Sequence, residues 1–263
     1  MATQLGISFF LHFRRVARRT VAASELTLLA LARARPHRRF AMARFFAVGL
    51  ALCSLLICIN AWVPRASAST IAYYRFEEGR NGNAARGTNT IIDSSGNGLN
   101  ASPFGGVAYS TDIPANPVPL TGATNLLSAI FNGSSGRVFI PDYRQLELTN
   151  SLTLEAFIKA VSPGGGTFGQ AQIVFRGDDR AFWDPYQILL IGPNLSFEIT
   201  DANNVISPVQ APISLNVWHH VAGTLDDATG DQSLYIDGLL VASKHTSERP
   251  FGPLTGPNTT ATL

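Results

Sequence analysis

Two stretches carry residues of the right type and spacing for chemistry. Asp93-Ser94-Ser95-Gly96-Asn97-Gly98 gathers the side-chain oxygens of Asp93, Ser95 and Asn97 in a glycine-bent loop, the donor type that a hard cation such as calcium takes. The EF-hand pattern fails, because Ser95 stands where Asp or Asn is usual and Phe104 occupies the twelfth position, which needs a bidentate Glu. The same residues also spell an Asx turn, with glycine supplying the positive φ. Further along, Trp183, Asp184 and Tyr186 fall in one aromatic and acidic segment, Asp178 to Tyr186. An apolar ring beside a polar group suits stacking against a ligand ring plus a directed hydrogen bond, and loops carry binding more often than core strands do. Trp218 and His220 share one face of a strand and offer the same chemistry, but mid-strand they read as a core tryptophan and a histidine bonded to backbone. Glu77 and Glu78 are adjacent, so on a strand they point to opposite faces and do not form the ~5 Å pair of a retaining glycosidase. Arg176-Gly177-Asp178 is the tripeptide read by integrins, a three-residue match that arises by chance.

The elements that must position these residues are strands. Val217 to Leu225 stops at the turn-forming run Asp226 to Asp231, and Leu234-Tyr235-Ile236 meets Leu239-Leu240-Val241 across Asp237-Gly238, the dipeptide that fits a type I′ hairpin turn. Asp237 is read as a turn residue. From Thr70 onward, short apolar runs alternate with Gly, Pro, Asn, Asp and Ser, and no 3.6-residue period is sustained. The expected strands are 71–76, 126–131, 137–141, 151–161, 171–176, 186–191, 195–200, 217–225, 232–236 and 239–243, enough for two packed sheets. In the fourth, Leu152, Leu154, Ala156 and Ile158 alternate with Thr153, Glu155, Phe157 and Lys159, which predicts one buried and one wet face. The Pro-rich insert 102–121 reads as a surface loop.

Met1 to Ala68 is a different text, with ten arginines and one acid, Glu25. Met42-Ala43-Arg44, the apolar run Phe45 to Ile59 and the small residues Ala66-Ser67-Ala68 make the three parts of a secretory signal, cleaved near Ala68. That run is short of the ~20 residues a membrane-spanning helix needs, so no permanent anchor is expected. Both cysteines, Cys53 and Cys58, lie inside it. The expected organisation is therefore 1–41, an over-extended or non-structural start; 42–68, the signal peptide; and 69–263, one domain that is secreted, periplasmic or at the cell surface. Removing 1–68 leaves ten Lys and Arg against seventeen Asp and Glu, a formal −7 in place of +2. The basic pI of 8.7 thus rests on the leader, and no nucleic-acid partner is expected.

Five blocks in order carry a resemblance: Ala72-Tyr73-Tyr74-Arg75-Phe76-Glu77-Glu78-Gly79, the Asp93 to Gly98 loop, Phe131-Asn132-Gly133 with Val138 to Pro141, Ser151 to Phe157, and Trp218-His219-His220-Val221-Ala222 with Leu234 to Gly238. Together they resemble the laminin-G-like domains of the concanavalin A-like lectin and glucanase superfamily. The resemblance implies an all-β, two-sheet antiparallel jelly-roll β-sandwich, and related domains often bind calcium. Glucanases of that superfamily share a strand bearing Glu-x-Asp-x-x-Glu, which this chain lacks, so the domain is expected to be a non-catalytic module. It would recognise a glycan or an extracellular protein surface through Trp183, Asp184 and Tyr186, with Asp93, Ser95 and Asn97 as calcium ligands. An adhesion or matrix module, or a glycoside hydrolase whose catalytic site lies elsewhere, are the alternatives. The family's closing Ile-Asp-Glu-Val-Arg strand has no counterpart before Leu263, so the domain is expected to be incomplete at its C-terminal end, with 71–76 an unpaired edge.

Overall fold

The alternation of apolar and polar residues produces two facing antiparallel sheets. The computed structural model describes residues 5–8, 14–16, 68–115, 124–165, 168–178, 180–256 and 260–263. The chain divides into two units, Met1–Val16 with Ala68–Leu263, and Ala17–Ser67. Only the first falls among the described residues, so the expected signal sequence, 42–68, lies outside them except for its last residue, Ala68. Among the described residues no helix is long and apolar enough to cross a membrane.

In chain order the strands begin with β1 Leu5–Ser8, β2 Arg14–Val16, β3 Ala68–Thr70, β4 Ser102–Phe104, β5 Val107–Ser110, β6 Ser128–Phe131, β7 Arg137–Pro141 and β8 Leu152–Lys159. Then come β9 Gln170–Gly177, β10 Tyr186–Ile191, β11 Asn194–Thr200, β12 Ile206–Pro212, β13 His219–Leu225, β14 Asp231–Ile236, β15 Leu239–His245 and β16 Thr260–Thr262. Sheet one runs β15-β14-β13-β8-β1-β6-β5, with β2 joined to β8 and β3; sheet two runs β12-β11-β10-β9-β16-β7-β4. β1 and β2 come from the segment that sequence alone sets apart from the domain, and β1 lies between β6 and β8.

Core packing follows the pleat. In β8, Leu152, Leu154, Ala156 and Ile158 are buried and the residues between them are half-buried, as expected. Gly223 of β13 sits against the Phe197 ring of sheet two, where a Cβ would fall 2.3 Å from a ring carbon. Beside it the fully buried Gln232 clamps the layers: its amide donates to the carbonyls of Phe197 at 3.1 Å and Ser207 at 2.9 Å, and its oxygen accepts from the Ser207 hydroxyl at 2.7 Å. Each buried amide group is thereby satisfied, which offsets its desolvation.

Two expectations are corrected. The insert 102–121 contains β4 and β5, each the outermost strand of its sheet, where Pro103 costs no ladder bond. Residues 71–76 form no ladder strand and are not an exposed edge, for Ala72, Tyr73, Tyr74 and Phe76 are all buried. The Asp93 side chain takes the Tyr73 N–H, Ser94 N–H bonds the Tyr73 carbonyl, and Phe76 turns the chain at φ 58°. A left-handed residue at that point ends extended pairing.

Candidate functional site

Sheet two offers its outward face where β7, β16 and β9 lie side by side. Phe139, Thr262 and Phe175 stand at matching positions across these strands. Val138 and Ile140 on either side of Phe139 are fully buried, so the phenyl points away from the core. The two phenylalanines are two strand spacings apart, roughly 10 Å. Arg137, two residues before Phe139 and therefore on the same face, lays its guanidinium over the Phe139 ring at 4.9 Å. Phe104, opposite Arg137 on β4, meets the same ring edge-on at 4.9 Å.

One rim is the turn Ser134-Ser135-Gly136, held by Asn132 Oδ1, which accepts the three backbone N–H groups at 3.1, 3.0 and 2.9 Å. Gln172 is exposed beside Phe175, and Gly177 and Asp178 form the far end. The open cleft measures about 340 Å³. It combines an aromatic floor with a polar rim, the lining that binds a ring-shaped polar ligand.

Asp178 joins this cleft to the loop singled out by sequence. Its carboxylate accepts from the Arg180 backbone and guanidinium and from Thr255 N–H. Burial pushes the group up, but those hydrogen bonds outweigh it and hold the carboxyl below its usual range. Arg180 then lies over the Trp183 indole at 3.7 Å, with Phe251 edge-on to that indole at 5.7 Å. Trp183 is half-buried, so the expected ligand aromatic is already stacked by the protein's own cation. Asp184 is half-buried nearby; burial first, then the charges of Asp178 and Glu198, push its carboxyl up to about 6.

Tyr186 departs from expectation. It starts β10 with its ring in the core and its hydroxyl donating to the Leu146 carbonyl at 2.7 Å, so it is not exposed beside Trp183. The apolar alternation of β10 places Tyr186, Ile188 and Leu190 inward together. The exposed aromatic pair of this region is instead Phe182 and Phe168, 5.5 Å apart.

The oxygen-rich loop is closed by its own donors. Asp93 is buried, Oδ1 accepts from the N–H groups of Tyr73 and Ser95, and Oδ2 accepts from the Ser95 hydroxyl and Leu99 N–H. The Asn97 amide donates to the carbonyls of Thr70 and Ile71. Asp93, Ser95 and Asn97 are thus brought together by an Asx turn that staples 70–73 in place. Among the described residues no three His, Cys, Asp or Glu side chains form a group able to hold a metal ion.

Other residues flagged by sequence also find partners. Trp218 lies outside the core, half-buried, with its indole N–H donating to Asp112 at 2.8 Å. The His220 ring packs on Phe157 at 4.9 Å and faces Glu155, rather than bonding backbone. Asp237, at φ 52° in the hairpin turn, accepts His220 N–H through one oxygen and lies 2.7 Å from His219 Nδ1 through the other; His219 Nε2 lies 2.7 Å from Ser214 Oγ. This Ser-His-Asp relay ties a loop to a turn at the surface, with Asp237 half exposed in water, where its field on the imidazole is weak. Arg176 is fully buried and paired with Asp142, so the tripeptide 176–178 is not presented to a partner.

Two antiparallel sheets packed in this way form a jelly-roll β-sandwich. Residues 132–262 match the Laminin_G_3 family model, described as belonging to the Concanavalin A-like lectin/glucanases superfamily. That part of the chain is a laminin-G-like domain of this superfamily. Similar solved structures include the binding domain of Paraclostridial Mosquitocidal Protein 1, at 17% identity and TM-score 0.48, covering 68% of this chain and 42% of that one. The binding domain of Botulinum Neurotoxin DC in complex with SialylT has 15% identity and TM-score 0.43 over 68% and 42%. The Botulinum Neurotoxin serotype G binding domain has 14% identity and TM-score 0.42 over 66% and 43%. This chain spans about two fifths of the length of these structures. Among curated proteins none matches.

Proposed function

We propose that this chain is an exported, non-catalytic module that binds a glycan along the outer face of sheet two. The observation that carries the reading is the floor of Phe139 and Phe175 flanking Thr262 in an open cleft. Phenyl faces cover the C–H faces of sugar rings, the Phe139 face being shared with the Arg137 guanidinium, while Ser134, Ser135 and Gln172 supply hydrogen bonds to hydroxyls. Glycoside hydrolysis needs two facing carboxyl groups. The carboxylate lining this cleft, Asp178, is engaged by Arg180, while Glu77 accepts Leu126 N–H and Glu78 accepts Ile92 N–H. Export rests on the Met42 to Ala68 sequence, and processing there is read by intact mass.

A protein surface as partner is the second reading, supported by the exposed Phe168 and Phe182 pair. A glycan array probed with the full chain and with Phe139→Ala, Phe175→Ala and Phe182→Ala separates the two. Glycan binding weakened about tenfold by either of the first two substitutions, about 1.4 kcal/mol, is the expected result. A chain that binds no glycan, or binds equally well without Phe139 and Phe175, overturns the reading.

A further inference from the structure

Arg137 is the residue of the cleft whose charge is unspent. It is exposed, and among the described residues no carboxylate lies within ion-pair distance of it, whereas Arg176 pairs with Asp142, Arg180 with Asp178, Arg249 with Asp227 and Lys159 with Asp112. Asp178, the acidic lining residue, is neutralised by Arg180. Arg137 therefore places a guanidinium without an ion-pair partner among the described residues at the Phe139 end of the cleft. Contact with the Phe139 face orients the guanidinium, and a positioned guanidinium presents a planar pair of donors that matches a carboxylate through two parallel hydrogen bonds. Because Arg137 and Phe139 are i and i+2 on one strand face, a sugar ring stacked beside Phe139 would hold a ring carboxylate within reach of Arg137.

Resting on the glycan reading of the same cleft, we infer that the ligand is an acidic polysaccharide whose uronate carboxylate is held by Arg137. Phe139 and Phe175 supply stacking common to any pyranose, and Arg137 supplies the choice of charge.

The test uses the full chain and calorimetric titration with oligomers of galacturonate, glucuronate and mannuronate, each beside its carboxyl-reduced counterpart, which keeps the sugar backbone and loses the charge. The expected result is at least tenfold tighter binding of one acidic oligomer than of its reduced form. Arg137→Gln should bring the ratio of acidic to reduced affinity down to about one, and the acidic affinity alone should fall as salt is raised, because exposed charge pairs are screened. Arg137→Gln is a surface change that leaves the fold intact, and circular dichroism verifies this. Equal affinity for acidic and reduced oligomers, or a preference that survives Arg137→Gln, overturns the inference. In that case Phe175→Ala still weakening neutral binding would leave the glycan reading standing. Failure of all oligomers while neutral glycans bind on the array overturns the inference alone; failure of every glycan overturns both.

Discussion

The guanidinium of Arg180 lies 3.7 Å above the centre of the Trp183 indole. This contact occupies one face of the loop tryptophan that sequence marks as a ligand aromatic. Stacking of a ligand on that face would require displacing Arg180, which is also bound to Asp178. Trp183→Ala is expected to weaken glycan binding less than Phe175→Ala does. Arg180→Ala should lower stability by about 1 to 2 kcal/mol in denaturant unfolding, the scale of a partly buried cation–π contact. A Trp183→Ala loss equal to that of Phe175→Ala would move the site to the loop.

Asp184 gives the fold a pH dependence. Its carboxyl is raised from 3.8 to about 6 by burial, then by Asp178 and Glu198. Between those values the folded chain holds the proton and the unfolded chain has released it. The contribution is complete below about 4 and is lost as pH rises through 6, at most about 3 kcal/mol. Asp184→Asn should flatten stability over that window and stabilise the chain at pH 7. Unfolding curves from pH 4 to 7 that are identical for both proteins would contradict this.

Arg176 and Asp142 form an ion pair with the guanidinium fully buried, at 2.8 Å, and Arg176 also donates to the Gly252 carbonyl. Asp142→Ala leaves a buried cation without its partner and should cost about 3 kcal/mol or more in chemical unfolding. Adding Arg176→Met should recover part of that loss. A double variant as unstable as the sum of the singles would show that the pair is uncoupled.

Asp93 accepts four hydrogen bonds, three of them from the backbone N–H groups of Tyr73, Ser95 and Leu99. Removing it orphans buried donors, so Asp93→Ala should cost about 2 to 4 kcal/mol. The cost should be the same in calcium and in chelator, because the oxygens already have donors. A calcium-dependent rise in melting temperature that vanishes in Asp93→Ala would instead establish the cation site that the sequence suggests.

What was legible in the sequence is what neighbours along the chain decide. The hairpin at Asp237-Gly238 forms as expected, with φ of 52° and 78°, because turn chemistry is set by the two residues themselves. The faces of β8 followed from its alternation. The cleft was not legible: Phe139, Thr262 and Phe175 come from three distant stretches and meet only through the registers of β16 with β7 and β9. Tyr186 follows Asp184-Pro185 as if it closed a loop, but it begins a core strand. Residues 71–76 look like a strand by composition, but the Asp93 side chain competes for the N–H that a ladder would use.

Backbone amide exchange, with and without an array-positive glycan, reads out whether the outer face of sheet two is the binding face. Ligand protection is expected in 134–139 and 172–178, the stretches that line the cleft, with little change in 78–92 or at Asp93 to Gly98. Protection confined to 78–92, or to the loop at Phe182 and Trp183, would place the ligand elsewhere and contradict that expectation.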